Sequence, residues 1–460
     1  MPVISVNIAR FINTGNKIFM QFSDLGLNPS ICSALVKKGY TSPTAIQTKA
    51  IPTILQGSDV MASAQTGTGK TAAFTLPIIQ NLLDQPKAQA NKIKVLVLTP
   101  TRELAAQIQE QVSLYAENTH IRYTVVFGGV SINPQMMKLR KGVEILIATP
   151  GRLLDLYSQN AIRFDSLNTL VLDEADKMLD MGFINDLKKI HNLLPKKIQT
   201  LMFSATFSPE IKNLANEFLN DPQFISVDAV NTAVKKIIQK IYTLDKSNKI
   251  NALIALIRQQ NLHQVLVFSR TKNGANKISE KLNNAGISSS AIHGNKSQTA
   301  RTKALADFKA KQINVLVATD IAARGIDIVQ LPCVINLDLP NVAEDYVHRI
   351  GRTARAGQDG LAISLVSADE VTSLSNIEHL IGHLLPREEL EGFEVQHNVP
   401  ITSMTRKTKA NKIDEVKIIA AKRANKANNK KPANHNKDFA KKIRVKIQAN
   451  KSVRKPKAKD

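Results

Sequence analysis

Short, almost wholly apolar runs recur along this chain, separated by helix-length stretches. VMASA (60–64), KVLVLTP (94–100), VEILIATP (143–150), LVLDEAD (170–176) and TLMFSAT (200–206) form a first group. QVLVFS (264–269), NVLVATD (314–320), CVINLDL (333–339) and LAISLV (361–366) form a second. Runs rich in Val, Ile and Leu without polar alternation predict strands buried on both faces, as in parallel sheets covered by helices. Two groups predict two doubly wound α/β domains, with ligands expected beyond the carboxyl ends of the strands.

The pattern fades at both ends. Residues 1–19 have no periodicity; organisation begins with MQFSDLGL, which makes Met20 a candidate start. The expected division is a first domain over 20–228, a linker over 229–240, a second domain over 241–385 and a basic tail over 386–460.

Charge sharpens this picture. Lys and Arg total 62 against 38 Asp and Glu, a net charge of +24. Of this, +16 falls in the 56 residues from Thr405 to Asp460, where Phe439 is the one aromatic residue. Such a segment cannot bury enough apolar area to offset its ordering entropy, so it reads as disordered. At this charge density a polyanion-binding arm is favoured over a merely solvated tail, and no amphipathic face accompanies it to favour a membrane.

Composition excludes other classes. Cys32 and Cys333 are the only cysteines, too few for a disulfide framework or a Cys-rich zinc site, and read as packed thiols. No apolar run approaches the ~18 residues of a membrane span. Trp is absent and aromatics make up 5%, which argues against a surface built on stacking. The expectation is a soluble, monomeric, cytoplasmic protein. His191 and His263 have no nearby ligand-type partner. His379 and His383 share a helical face but lack the HExxH order of a zinc helix.

Two motifs carry chemistry. AQTGTGKT, from Ala64 to Thr71, joins a predicted strand to a predicted helix and reads as a P-loop, with Ala64 where the strict pattern has its first Gly. Gly67 and Gly69 let backbone N–H groups turn toward phosphate, and the following helix N-terminus adds partial positive charge. Lys70 is expected at the β/γ-phosphates and the Thr71 hydroxyl at magnesium. In LVLDEAD, two carboxylates end an apolar strand, where uncompensated charge is costly. Magnesium accounts for Asp173, and Glu174 is placed to orient and deprotonate the attacking water.

With these residues in place the chain resembles the DEAD-box RNA helicases over about 360 residues, and most closely the bacterial RhlE type in its linking phrases. The family's fold is a tandem pair of RecA-like domains. The resemblance implies ATP as the nucleotide, through Phe22 and GYTSPTAIQ, in which Gln47 reads the adenine edge and Tyr40 packs on its ring. It also implies nucleotide contacts from Ala64, Gln65, Thr66, Gly67, Thr68 and Gly69, and from Asp327.

For RNA, the same resemblance assigns PTRELA (Pro100, Thr101, Arg102), the pair Gly128 and Gly129, and TPGR (Thr149, Arg152) in the first domain. In the second it assigns Arg270 of VFSRTK, Gly294 and Arg301 of HGNKSQTAR, and Thr319 of ATDIAARGID. Ser204 and Thr206 of SAT, with Asp176 and His348, would couple hydrolysis to strand separation. HRIGRTARAG supplies Arg352 and Arg355 as arginine fingers, with Ala354 where the family usually has Gly. Thr, Ser, Gly and Arg suit phosphate and 2′-hydroxyl contacts, so RNA binding is expected to be independent of sequence.

The activity so implied is RNA-stimulated ATP hydrolysis that locally unwinds short duplexes, with ribosome assembly or RNA turnover as its setting. One alternative is an ATP-dependent RNA clamp in which hydrolysis only drives release. The other is DNA unwinding on the same scaffold, which the Gln47 region disfavours.

Overall fold

The computed structural model describes residues 20–64, 68–205, 207–227, 237–323, 328, 331–353, 360–396 and 399–403. The extension 1–19 and the tail from 404 onward therefore lie outside the described residues.

The first sheet is built from β1 (Val60–Ser63), β2 (Ile93–Leu98), β3 (Tyr123–Val126), β4 (Val143–Ala148), β5 (Thr169–Leu172), β6 (Gln199–Ser204) and β7 (Gln223–Ser226), all paired in parallel in the order β3-β4-β2-β5-β6-β1-β7. Because side chains alternate across a strand, β2 feeds two cores. Val95 and Val97 pack on one face, Leu96 and Leu98 on the other. Helices cover both faces, which is why the central strands read as continuous apolar runs.

The second sheet repeats the plan with β8 (Ile237–Thr243), β9 (Val265–Phe268), β10 (Ser289–Ile292), β11 (Val315–Ala318), β12 (Cys333–Asn336), β13 (Gly360–Val366) and β14 (Arg387–Glu388), ordered β10-β11-β9-β12-β13-β8-β14. Val265 and Val267 of β9 enter one core, Leu266 and Phe268 the other. Cys333 is buried in β12, and burial pushes its thiol up to about 12. Among the described residues no helix is long and apolar enough to cross a membrane.

Two expected boundaries shift. β8 starts at Ile237, inside the expected 229–240 linker, because Ile237 and Ile241 bury one face against β13 while the intervening residues stay polar or exposed. The second domain also runs past 385. β14 pairs with β8, Leu390 and Val399 are buried, and the Arg387 guanidinium donates to the Pro400 carbonyl (2.9 Å) and Thr402 Oγ1 (2.8 Å). This stretch carries no strong periodicity, so its packing left little mark on the hydrophobic pattern.

Candidate active site and nucleic-acid interface

β1, β6 and β5 are consecutive in the first sheet, and their carboxyl ends carry the P-loop, SAT and DEAD phrases side by side. Gly69 leads into the helix Lys70–Leu82 with φ +92°, and a Cβ there would stand 2.3 Å from Gln47 Nε2, so only glycine is accommodated. The Lys70 side chain is buried, and its Nζ has no hydrogen-bond partner among the described residues. A buried unpartnered ammonium is costly, and a phosphate oxygen is the group that would relieve it.

Asp173 prolongs the strand: its N–H donates to the Leu98 carbonyl (2.9 Å), and its Oδ1 accepts from the Glu174 N–H (3.0 Å). The next residue, Glu174, adopts a left-handed backbone at φ +53°. That region is strained for a residue with a Cβ and is tolerated where function over-determines it. The turn sends Glu174 into a narrow space shared by Lys70, Asp176, Lys177 and Ala205 of the first domain with His348 and Arg352 of the second. Lys70, Glu174 and Arg352 are thus brought together. Both Asp176 carboxylate oxygens and His348 Nδ1 are buried there without a hydrogen-bond partner among the described residues. Ser204 is fully buried at the end of β6. Gln65, Thr66, Gly67, Thr206, Asp327, Ala354 and Arg355 lie outside the described residues.

Burial raises Asp173 to about 7, partly offset by the nearby Lys70 ammonium. An ordinary aspartate in the unfolded chain titrates near 3.9. Between about pH 4 and pH 7 the folded protein therefore holds a proton that the unfolded chain has released, and stability falls as pH rises through that window, by at most ~1.4 kcal/mol per pH unit. Asp173→Asn removes this loss. Thermal unfolding without nucleotide or metal is expected to show the variant melting above the parent at pH 8, with the gap closing toward pH 4. A gap independent of pH would contradict the assignment.

The residues expected at adenine divide. Gln47 is buried, with its Nε2 donating to the Gly69 carbonyl (3.1 Å) and its Oε1 accepting from the Thr44 N–H (2.9 Å). Its amide thus ties the α-helical capping turn to the P-loop. Tyr40 is 42% exposed, whereas Phe22 is buried in the first domain's core. Thr68 and Thr71 are half-buried beside Lys70, and Ala64 is buried at the end of β1.

The residues expected at RNA are held by one another. Thr101 caps the helix Arg102–Tyr115 through the Leu104 N–H (3.2 Å), and Pro100 before it is buried. Arg102 lies against Gly129: a Cβ on that glycine, already at φ +77°, would come within 1.9 Å of the guanidinium. From the other side Arg152 Nη2 donates to the Val130 carbonyl (3.0 Å). Two arginines therefore hold the stretch Gly128–Val130, and Thr149 is buried, its N–H donating to the Val126 carbonyl (3.2 Å).

In the second domain, Arg270 donates through its guanidinium to buried Glu370 (2.9 Å) and through its N–H to Asp338 Oδ2 (2.8 Å). Lys249 is the second cation on Glu370. Gly294 is exposed beside Lys272, whose Nζ donates to Asn295 Oδ1 (2.8 Å), and Thr319 is buried at the end of β11. Arg301 pairs across the domains with Glu103 (2.8 Å), and Gln298 bridges Glu103 (2.9 Å) and Arg102 (3.4 Å).

Glu103, Gln298, Glu370 and Arg349 were not singled out in the sequence. Arg349 stands within HRIGR yet is a structural arginine. It makes a bidentate pair with Asp320 (2.6 and 2.7 Å), donates to Asn336 (3.0 Å), and stacks on Phe268 at 4.8 Å. The available signal was helical spacing: Asp345, Tyr346, Arg349 and Ile350 form the buried face of the helix Ala343–Ile350.

Parallel sheets with a P-loop and an acidic strand end in one domain, and an arginine from a second such domain entering the same space, define a nucleoside-triphosphatase of the tandem RecA-like class. The DEAD/DEAH box helicase family matches residues 44–214, and the helicase conserved C-terminal domain matches residues 248–357. The chain belongs to the DEAD-box family of ATP-dependent RNA helicases. It is 41% identical over 362 residues to the ATP-dependent RNA helicase CshA of Limosilactobacillus reuteri, covering 78% of this chain and 72% of that protein. It is 41% identical over 396 residues to SrmB of Haemophilus influenzae, covering 85% and 90%. Among solved structures, S. cerevisiae Dbp5 bound to RNA and ADP BeF3 aligns with a TM-score of 0.72 at 28% identity, over 87% of this chain and 99% of that one.

Proposed function

We propose that RNA draws the two domains together, that this completes an ATP-hydrolysing site, and that each cycle locally unwinds or remodels a short RNA duplex or RNA–protein complex. The observation that carries this reading is the single space lined by Lys70 and Glu174 of one domain and Arg352 of the other. Lys70 holds the β/γ-phosphates, Glu174 orients and deprotonates the water, and Arg352 neutralises charge developing on the transferred phosphoryl group. Hydrolysis waits for closure because the arginine arrives from the second domain.

Magnesium fits the residues present. Asp173 is a buried carboxylate whose charge is under-compensated, and the Thr71 hydroxyl lies one residue beyond Lys70. Among the described residues no cluster of three or more His, Cys, Asp or Glu could cage a metal by itself. Mg2+ characteristically takes one or two protein carboxylates and completes its shell with phosphate oxygens and water. Asp173 and Thr71 would hold it, and it would supply neutralisation of the phosphate charge.

RNA lies along the grip formed by Arg102, Gly129 and Arg152 and crosses to Arg270, Gly294 and Thr319. These are backbone-type contacts without base readout. By the family resemblance the setting is ribosome assembly or RNA turnover in the cytoplasm, with unwinding that does not translocate.

Steady-state ATP hydrolysis with no nucleic acid, single-stranded RNA, duplex RNA and DNA tests the proposal. RNA is expected to raise kcat at least tenfold over the basal rate, an effect of about 1.4 kcal/mol on the barrier, with DNA much weaker. Equal stimulation by DNA would reassign the substrate. Nucleotide binding without turnover on any of them would favour the clamp.

A further inference from the structure

We propose that Lys177 and Asp345 are positioning residues, a cross-domain pair that sets Arg352 against the hydrolytic site as the domains close. The proposal rests on the closure-dependent hydrolysis above. Lys177 follows Asp176 on the short helix Ala175–Asp180 of the first domain, and Asp345 lies on the helix Ala343–Ile350 of the second. Their Nζ and Oδ1 are 3.3 Å apart, and the two side chains are only 8% and 11% exposed.

Two charges buried against each other impose a selective condition. Together they compensate, and removing one leaves the other desolvated with less charge to offset it, a penalty that commonly exceeds the net value of the pair. The two sides are unequal. Lys177 also meets Asp180 Oδ2 at 3.2 Å on its own helix, where Asp180 is 48% exposed, so Lys177 keeps a partner when the domains are apart. Asp345 gains the Lys177 cation only on closure.

The pair is well placed to orient the reacting groups. Lys177 is three residues from Glu174 across a single helical turn. Asp345 shares its helix with His348, whose Nδ1 lies 3.8 Å from Asp345 Oδ1, and that helix runs directly toward Arg352. A pin at this point fixes the approach of the arginine-bearing segment relative to Glu174, without either residue touching the nucleotide.

A double-mutant cycle on the full chain tests this, with Lys177→Met, Asp345→Asn and the combination. The readouts are RNA-stimulated kcat, the KM for RNA and the factor by which a non-hydrolysable ATP analogue tightens RNA binding. Lys177→Met takes from Asp345 the cation of the opposite domain and is expected to lower stimulated kcat and the tightening factor about tenfold, a size typical of breaking a buried pair. Asp345→Asn leaves Lys177 with Asp180 and costs less. The double variant, with neither charge of the pair present, is expected to recover to within about threefold of the parent. Lys177→Arg keeps the pair and should retain most activity, which guards against a Met variant that fails to fold. Losses that simply multiply in the double variant, or singles within twofold of the parent, would overturn the pairing. A parent protein that RNA does not stimulate at all would overturn the functional reading as well.

Discussion

Glu174→Gln is expected to lower RNA-stimulated kcat by about 10³-fold, the middle of the range for losing a positioned general base, while the protein still binds ATP and RNA together. The amide keeps the size of the carboxylate and can still hydrogen-bond the water, but it cannot accept the proton. The left-handed turn at Glu174 is set by its backbone and by Asp173, whose Oδ1 accepts the Glu174 N–H, so the substitution leaves the site's geometry in place. In the proposed cycle closure precedes chemistry, so the variant should accumulate as a closed complex of protein, ATP and RNA. Linkage requires ATP to tighten RNA binding by the same factor by which RNA tightens ATP binding, and fluorescence titrations in both orders measure it. A loss of less than about tenfold would show that another group takes the proton.

The central strands were legible and the marginal ones were not, for one physical reason. β2, β4, β5, β9, β11 and β12 are buried at every position, so each leaves a dominantly apolar run, interrupted only by buried polar residues such as Lys94, Glu144 and Asn336. β3 and β7 close the two edges of the first sheet, and β10 and β14 those of the second. In β7 only Ile225 is buried while Phe224 faces solvent, and β10 is half serine. An edge strand buries less of itself, and its polar positions resemble loop. β8 alternates buried and open positions beside β14, which is why the expected linker swallowed its first four residues.

In the site, chemistry encoded by neighbours in sequence was legible. AQTGTGKT and DEAD each need only a strand, a turn and a helix, and all three were visible in the pattern. Contacts that exist only when the domains meet were not. Glu103 and Arg301 are far apart in sequence, and the phrases that hold them, PTRELA and HGNKSQTAR, were each assigned to RNA. Nothing local says that the arginine of one finds the glutamate of the other. Arg102 and Arg152 were expected to face RNA, and the structure adds a task, holding the stretch Gly128–Val130. Composition assigns a positive charge to a region, but only geometry divides it between ligand and scaffold.

Arg352 and Arg349 make that division testable within a single phrase. Arg352 lines the space containing Lys70 and Glu174, so Arg352→Lys is expected to cut RNA-stimulated kcat about 10³–10⁵-fold, the range for an arginine finger. Lysine fails there because a point charge does not reproduce the planar fork that spans two phosphate oxygens. The thermal midpoint should stay close to the parent's, since lysine keeps the positive charge and the proposed task of this arginine is in the reaction. Arg349 should behave in the opposite way. It is 3% exposed, paired at both ends with Asp320 and stacked on Phe268. Arg349→Ala leaves that carboxylate without its cation and is expected to cost about 3–5 kcal/mol of stability, read as a clear drop in the melting temperature. Activity of Arg349→Ala should then fall in proportion to the folded fraction as temperature rises, whereas Arg352→Lys should be inactive at every temperature. If the two variants exchanged these behaviours, the finger would be Arg349 and the scaffold Arg352, and the cation stacked on Phe268 would have to leave its ring to reach the phosphate.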